Sequence, residues 1–98
     1  MEVEQKNILL SQLHELKQES PREFEVLKVI AELGGKGEVY TGLVEETIRK
    51  RGLQVCRRSL EYYLSDLERR NFIKLKEIRV GRGHSTGIHL MLPSEVVL

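Results

Sequence analysis

This sequence predicts an α+β fold: four helices, one brief strand between the second and third, and a β-hairpin after the fourth. Three observations carry that expectation. Apolar residues recur with a period of about 3.6 in four segments before Asn71. From Phe72 the period drops to about two. Glycine, proline or asparagine stands at most of the junctions between these segments.

The first helix is read from EQKNILLSQLHELKQE, where Leu9, Leu13 and Leu16 recur at i, i+4, i+7 with Ile8 and Leu10 beside them. The second opens with Ser20 as N-cap, Pro21 at the first helical position and Glu23 completing a capping box. Phe24, Leu27, Ile30 and Ala31 form its inward face, and Gly34-Gly35 stops it. EVYTG is the short strand, and Thr41 is placed to cap the helix after it. In that third helix, GLVEETIRKRGL, the inward residues are Leu43, Val44, Thr47 and Ile48. Gly52 falls at C′ and Leu53 at C″, facing Ile48 as in a Schellman ending.

A turn of roughly three or four residues then leads to CRRSLEYYLSDLERRN. Leu60, Tyr63, Leu64 and Leu67 share one face of this helix, and Asn71 ends it in the left-handed region. Next, Ile73 and Leu75 alternate with Lys74 and Lys76. The apolar phase slips near Glu77, which predicts a β-bulge there. VGRGHSTGI reads as a flexible loop, and Ile88, Leu90 and Leu92 as the returning strand, ended by Pro93. Residues 1–19 are thus an N-terminal helix, 20–92 the main domain and 93–98 a loosely held tail.

Composition narrows the function. With 40% hydrophobic and 32% charged residues in 98, a single ordered domain is expected. No apolar run approaches the roughly 20 residues of a membrane span. The acidic start MEVEQK and the single cysteine predict an intracellular, cytoplasmic or nucleoid-associated protein without a disulfide. The net charge of +1 hides an asymmetry. Residues 1–39 hold five Lys/Arg against eight Asp/Glu, and residues 40–92 hold eleven against six. A basic half on a near-neutral chain points to a polyanion.

The element order fits that partner. Two helices joined by a short turn after a glycine form a helix-turn-helix, and a hairpin directly after the second makes it a winged helix. The second helix of such a unit enters the major groove of duplex DNA. Its outward residues here are Arg57, Arg58, Ser59, Glu61, Tyr62 and Ser65. Arginine can bind guanine O6 and N7 bidentately. Arg57 and Arg58 stand out because cations at a helix start oppose its dipole, which suggests a partner supplying negative charge. Lys74, Lys76, Arg79, His84 and Ser85 would meet phosphates, and Arg82 at the wing tip a phosphate or the minor groove. Lys74 and Lys76 read equally well as solvated strand residues, and Arg69 and Arg70 as complements to the macrodipole.

Other chemistry is thin. His14, His84, His89 and Cys56 have no metal-ligand spacing, so neither a metal, a cofactor nor an enzyme activity is expected. Gly34-Gly35-Lys36-Gly37 lacks the phosphate-loop pattern, and Cys56 is expected as a partly buried turn residue.

Residues 39–92 resemble the C-terminal winged-helix domain of archaeal origin-recognition initiators. The shared cues are VYTG before the first helix of the motif, an arginine pair opening the second, YLSDLE within it, and a Gly-Arg-Gly wing running into IHL. The resemblance implies duplex DNA contacts at Arg57, Arg58 and Arg82. Asn71 stands where those proteins usually have glycine, the wing lacks a second Gly-Arg pair, and their ATPase part has no counterpart in these residues. The chain is therefore more similar to small archaeal, plasmid or viral transcriptional regulators. Sequence-specific DNA binding as a homodimer, with Leu9, Leu13 and Leu16 either at the dimer contact or on the chain's own core, is the leading expectation. A replication or plasmid-maintenance factor and a winged-helix protein-interaction module are the alternatives.

Overall fold

The computed structural model describes residues 3–34, 39–93, 96 and 98. It is an α+β arrangement of four helices and a three-stranded antiparallel sheet. The elements are α1 (Val3–Glu19), α2 (Pro21–Gly34), β1 (Val39–Tyr40), α3 (Thr41–Lys50), α4 (Arg57–Arg69), β2 (Ile73–Val80) and β3 (Gly83–Leu90). The sheet order is β1-β3-β2, which leaves β2 at an edge. No described helix is long and apolar enough to cross a membrane.

The core is built by the stripes that the apolar periods mark. Leu27 and Ile30 of α2, Val44 and Ile48 of α3, and Leu60, Leu64 and Leu67 of α4 are all buried, with Ile73 and Ile88 closing it from the sheet. Each such side chain contributes about 1.5–3 kcal/mol by leaving water. The Leu9, Leu13 and Leu16 stripe is used within the chain. Leu13 and Leu16 are buried in the core and Leu9 packs against it, so a contact between copies cannot be built on that stripe without opening the domain. Of the apolar residues on α1, Val3, Ile8 and Leu10 remain exposed.

Both helices of the central pair end in the same way. Gly52 has φ +73°, its N–H donates to Arg49 O, and Leu53 N–H reaches Ile48 O at 3.1 Å. At the end of α4, Asn71 has φ +65°, its N–H donates to Glu68 O, and Phe72 N–H reaches Leu67 O at 3.0 Å. These are two Schellman endings. The first consumes residues before the next helix can start, and Val55 N–H then turns back onto Leu53 O. The link from α3 to α4 therefore runs over residues 51–56, longer than the expected turn.

Several sequence expectations give way to tertiary contacts. Glu23 does not complete a capping box: Ser20 N–H is already taken by Leu16 O at 2.8 Å, and the Glu23 side chain is buried toward α4. The Thr41 hydroxyl does not cap α3 but donates to Thr86 O at 3.2 Å, tying the helix start to β3. The bulge near Glu77 is absent. Pairing runs one-for-one from Ile73↔Leu90 to Val80↔Gly83. The flexible loop shrinks to Gly81-Arg82, because Gly83–Gly87 is strand. Gly81 at φ +60° takes the first central position of a type II′ turn, which suits the twist of a two-residue hairpin.

With no bulge, the slip in apolar phase puts Ile78 on the outer face of the sheet. Its side chain lies over Gly87, where a Cβ would stand 2.6 Å from Ile78 Cγ2. At the C-terminal end, Val96 and Leu98 pack against the core and Val96 N–H donates to Pro93 O, so the tail is not loosely held at those positions. The expected glycine-rich stop over residues 35–37, Glu38 of EVYTG, and Ser94, Glu95 and Val97 of the tail lie outside the described residues.

Candidate nucleic-acid interface

The buried stripe of α4 fixes what its other side presents. Because Leu60, Leu64 and Leu67 face the core, Arg57, Arg58, Glu61, Tyr62 and Ser65 are exposed, Tyr62 at 67%. Ser59 is half-buried. A cleft of about 560 Å³ separates this face from the hairpin. Arg57, Glu61, Leu64 and Ser65 line it from α4, and Leu75, Glu77, His84, Ser85 and Thr86 from the strands.

The cleft is electrically mixed. Arg57 Nη1 is 3.2 Å from Glu45 of α3, and its Nε is 3.4 Å from Glu61 one turn along α4. The charge opposing the α4 dipole at Arg57 is thus answered within the chain, so that residue alone is no sign of an outside anion. The Arg57 side chain keeps 64% exposure, and exposed pairs of this kind contribute about 0–1 kcal/mol. Across the cleft, His84 Nδ1 is 3.4 Å from Glu77 Oε1, an ion pair when the imidazole is protonated.

Arg58, Arg79 and Arg82 differ from Arg57. All three are exposed or half-exposed, and none has a carboxylate partner among the described residues. Arg58 and Tyr62 lie one turn apart on α4, and Arg82 occupies the two-residue hairpin tip. Lys74 and Lys76 do not join this group. Strand alternation puts them on the outer face of the sheet, while Glu77, Arg79, His84 and Thr86 continue the face that bears Ile73 and Ile88. The expected site is therefore divided between two faces of one hairpin.

Cys56 is exposed, contrary to the expected partial burial, because it is the N-cap of α4 and stands outside the helix. Its thiol donates to Ser59 Oγ at 3.2 Å. Hydrogen bonds from the Ser59 hydroxyl and backbone stabilise the thiolate and lower the thiol below its ordinary pKa. Among the described residues no group of three or more His, Cys, Asp or Glu side chains could hold a metal.

A charged cluster that periodicity does not announce holds α4 in place. Arg69 and Arg70 do more than complement the macrodipole. Both bind Asp66, with Arg70 Nε 2.8 Å from Oδ2, and Arg70 also approaches Glu19 at 3.7 Å and Glu23 at 3.9 Å. These groups come from α1, α2 and α4, so the cluster fastens the presenting helix to the helical layer. The signal available in the sequence was Glu23 itself, an acid in line with Leu27 and Ile30 on an apolar stripe. At the free edge of β2, Leu75 N–H donates to the Glu68 carboxylate at 2.7 Å, covering an otherwise open strand donor. Comparison of the chain with family models, curated proteins and solved structures returns no match.

Proposed function

We propose that the chain is a sequence-specific duplex-DNA-binding protein of winged-helix type, acting as a transcriptional regulator. In this reading α3 and α4 are the helix-turn-helix, α4 lies in the major groove, and the β2–β3 hairpin is the wing. The observation that carries it is that α4 and the hairpin flank one cleft and each bears, outside the cleft's lining, an exposed arginine with no carboxylate partner among the described residues. These are Arg58, one turn from Tyr62 on α4, and Arg82 at the hairpin tip. Arg58 suits bidentate contact with guanine, and Tyr62 suits a phosphate oxygen or a thymine methyl. Arg79 and Arg82 neutralise phosphates or reach an A·T-rich minor groove. Two copies on adjacent half-sites would give the specificity that one domain lacks, with Val3, Ile8 and Leu10 as the apolar residues of α1 left for that contact.

A second reading, a docking module for a protein, draws on the mixed charge of the cleft, where Glu61 and Glu77 accompany Arg57 and His84 and Glu45 of α3 pairs with Arg57 from outside the lining. Selection of bound fragments from random duplex DNA, followed by titration in rising salt, separates the two. The DNA reading expects a consensus, palindromic for a dimer, and affinity that falls steeply with salt. It also expects Arg58→Ala to relax preference at one position. Equal retention of all sequences by wild type and Arg58→Ala would defeat it.

A further inference from the structure

The outer face of the sheet is the part of the basic half that a duplex seated on α4 and the hairpin tip does not use. Strand pairing places Lys74 opposite His89, and it lines up Lys76, Gly87 and Tyr40 in one row across all three strands. Lys74, Lys76 and His89 are exposed and Tyr40 is half-exposed. Gly87, at the centre of the row, adds no side chain of its own and is covered by Ile78. No carboxylate pairs with Lys74, Lys76 or His89 among the described residues. Glu68, the acid beside the β2 edge, is engaged by Leu75 N–H. Elsewhere the chain neutralises many of its cations, as at Lys50, Arg51, Arg57, Arg69 and Arg70.

We propose that this outer face is a second nucleic-acid surface, and that it takes a single strand. Three strands spaced about 4.8 Å apart make a platform about 10 Å wide, suited to one backbone with its bases laid flat. A duplex, a convex cylinder about twice that width, would touch only the lysines. Tyr40 and His89 supply the rings on this face for unpaired bases to stack on, and Lys74 and Lys76 on the edge strand supply cations for the phosphates. Aromatic faces beside a cationic track are the chemistry that binds single strands without base preference. The surface stands independently of the duplex reading, since it shares neither Arg58 nor Arg82.

The test is fluorescence polarisation with a labelled oligothymidylate of about 12 nucleotides and, separately, the duplex recovered by selection. Wild type should bind the oligothymidylate, and Lys74→Ala/Lys76→Ala should weaken that binding by at least ~10-fold with duplex affinity little changed. Arg58→Ala/Arg82→Ala should do the reverse. Thermal melts confirm folding, and Lys74→Gln/Lys76→Gln repeats the test with more of each side chain retained. Failure of wild type to bind the oligothymidylate would overturn the proposal. So would unchanged binding by both lysine variants, or equal losses on both probes. Wild type that binds the oligothymidylate but no duplex would count against the α4 reading and leave this surface standing.

Discussion

Glu23 of α2 and Asp66 of α4 place two carboxyl groups in one buried site, where Arg70 stands 2.8 Å from Asp66 and 3.9 Å from Glu23. Burial, then hydrogen bonding and charge repulsion from Asp66, pushes Glu23 up to about 8. Burial works against Asp66 as well, but hydrogen bonds with Glu23, Arg69 and Arg70 outweigh it and hold that carboxyl well below its usual range. Glu23 therefore keeps its proton at neutral pH and Asp66 the charge. Glu23 Oε2, on a residue 2% exposed, has no hydrogen-bond partner among the described residues. A proton on Glu23 turns the pair from two acceptors into a donor and an acceptor.

The sign of the pH dependence follows. Between the ordinary value of 4.5 and about 8, the folded chain holds a proton on Glu23 that the unfolded chain has lost. Stability from this group is complete below that window, declines as pH rises through it, and is gone above. Glu23→Gln keeps a donor toward Asp66 without the titration. Thermal melts should show wild type losing ground to the variant as pH rises from about 5 to about 9, each kcal/mol shifting Tm by about 4–8 °C. A difference in Tm that stays constant over the range would remove the shared proton.

The helices were legible because their signals are local: a 3.6-residue stripe, Pro21 at a start, Gly52 and Asn71 at ends. The hairpin was misread because strand parity was followed on one strand alone. Ile78 changes phase on β2, but the space that receives it is the missing side chain of Gly87 on β3, and that pairing exists only once the register is known. The outward face of α4 was legible from its buried face. The partner of Arg57 on α3 was not, since Glu45 is twelve positions away along the chain and nothing local links them, although Glu61 at i+4 was in plain view.

Gly87→Ala tests that register. The new Cβ would lie 2.6 Å from Ile78 Cγ2 and 3.3 Å from its Cδ1, and a β-branched side chain has little freedom to withdraw. A loss of about 1–3 kcal/mol in urea unfolding is expected, as for other overpacked sites. Ile78→Ala in the same chain should recover part of it, giving a coupling that two independent substitutions would not show. Additive losses would mean that the two residues do not meet.

Asn71, at φ +65°, holds the left-handed position that ends α4 and aims Phe72 into the core. Asn71→Gly removes the steric cost of that conformation and should leave stability unchanged or slightly raised. Asn71→Ala should cost about 1–2 kcal/mol, because alanine pays the left-handed penalty without a polar side chain to offset it. Equal unfolding midpoints for the two variants would argue against a strained helix end.

Glu45 restrains Arg57 from the preceding helix, and the two readings of the cleft differ on what that restraint does. If α4 enters a groove, Glu45 is a negative charge beside DNA that also competes for the guanidinium. Glu45→Gln should then tighten duplex binding about 3- to 10-fold and steepen its dependence on salt, with the fold intact because an exposed pair contributes so little. Arg57→Ala should weaken binding less than Arg58→Ala, since part of the Arg57 charge is already answered by Glu45 and Glu61. If instead the cleft docks a protein, Glu45→Gln removes a contact and gains nothing on DNA. Polarisation with the selected duplex at two salt concentrations decides, and tighter binding by Glu45→Gln is a result that only the groove-facing helix accounts for.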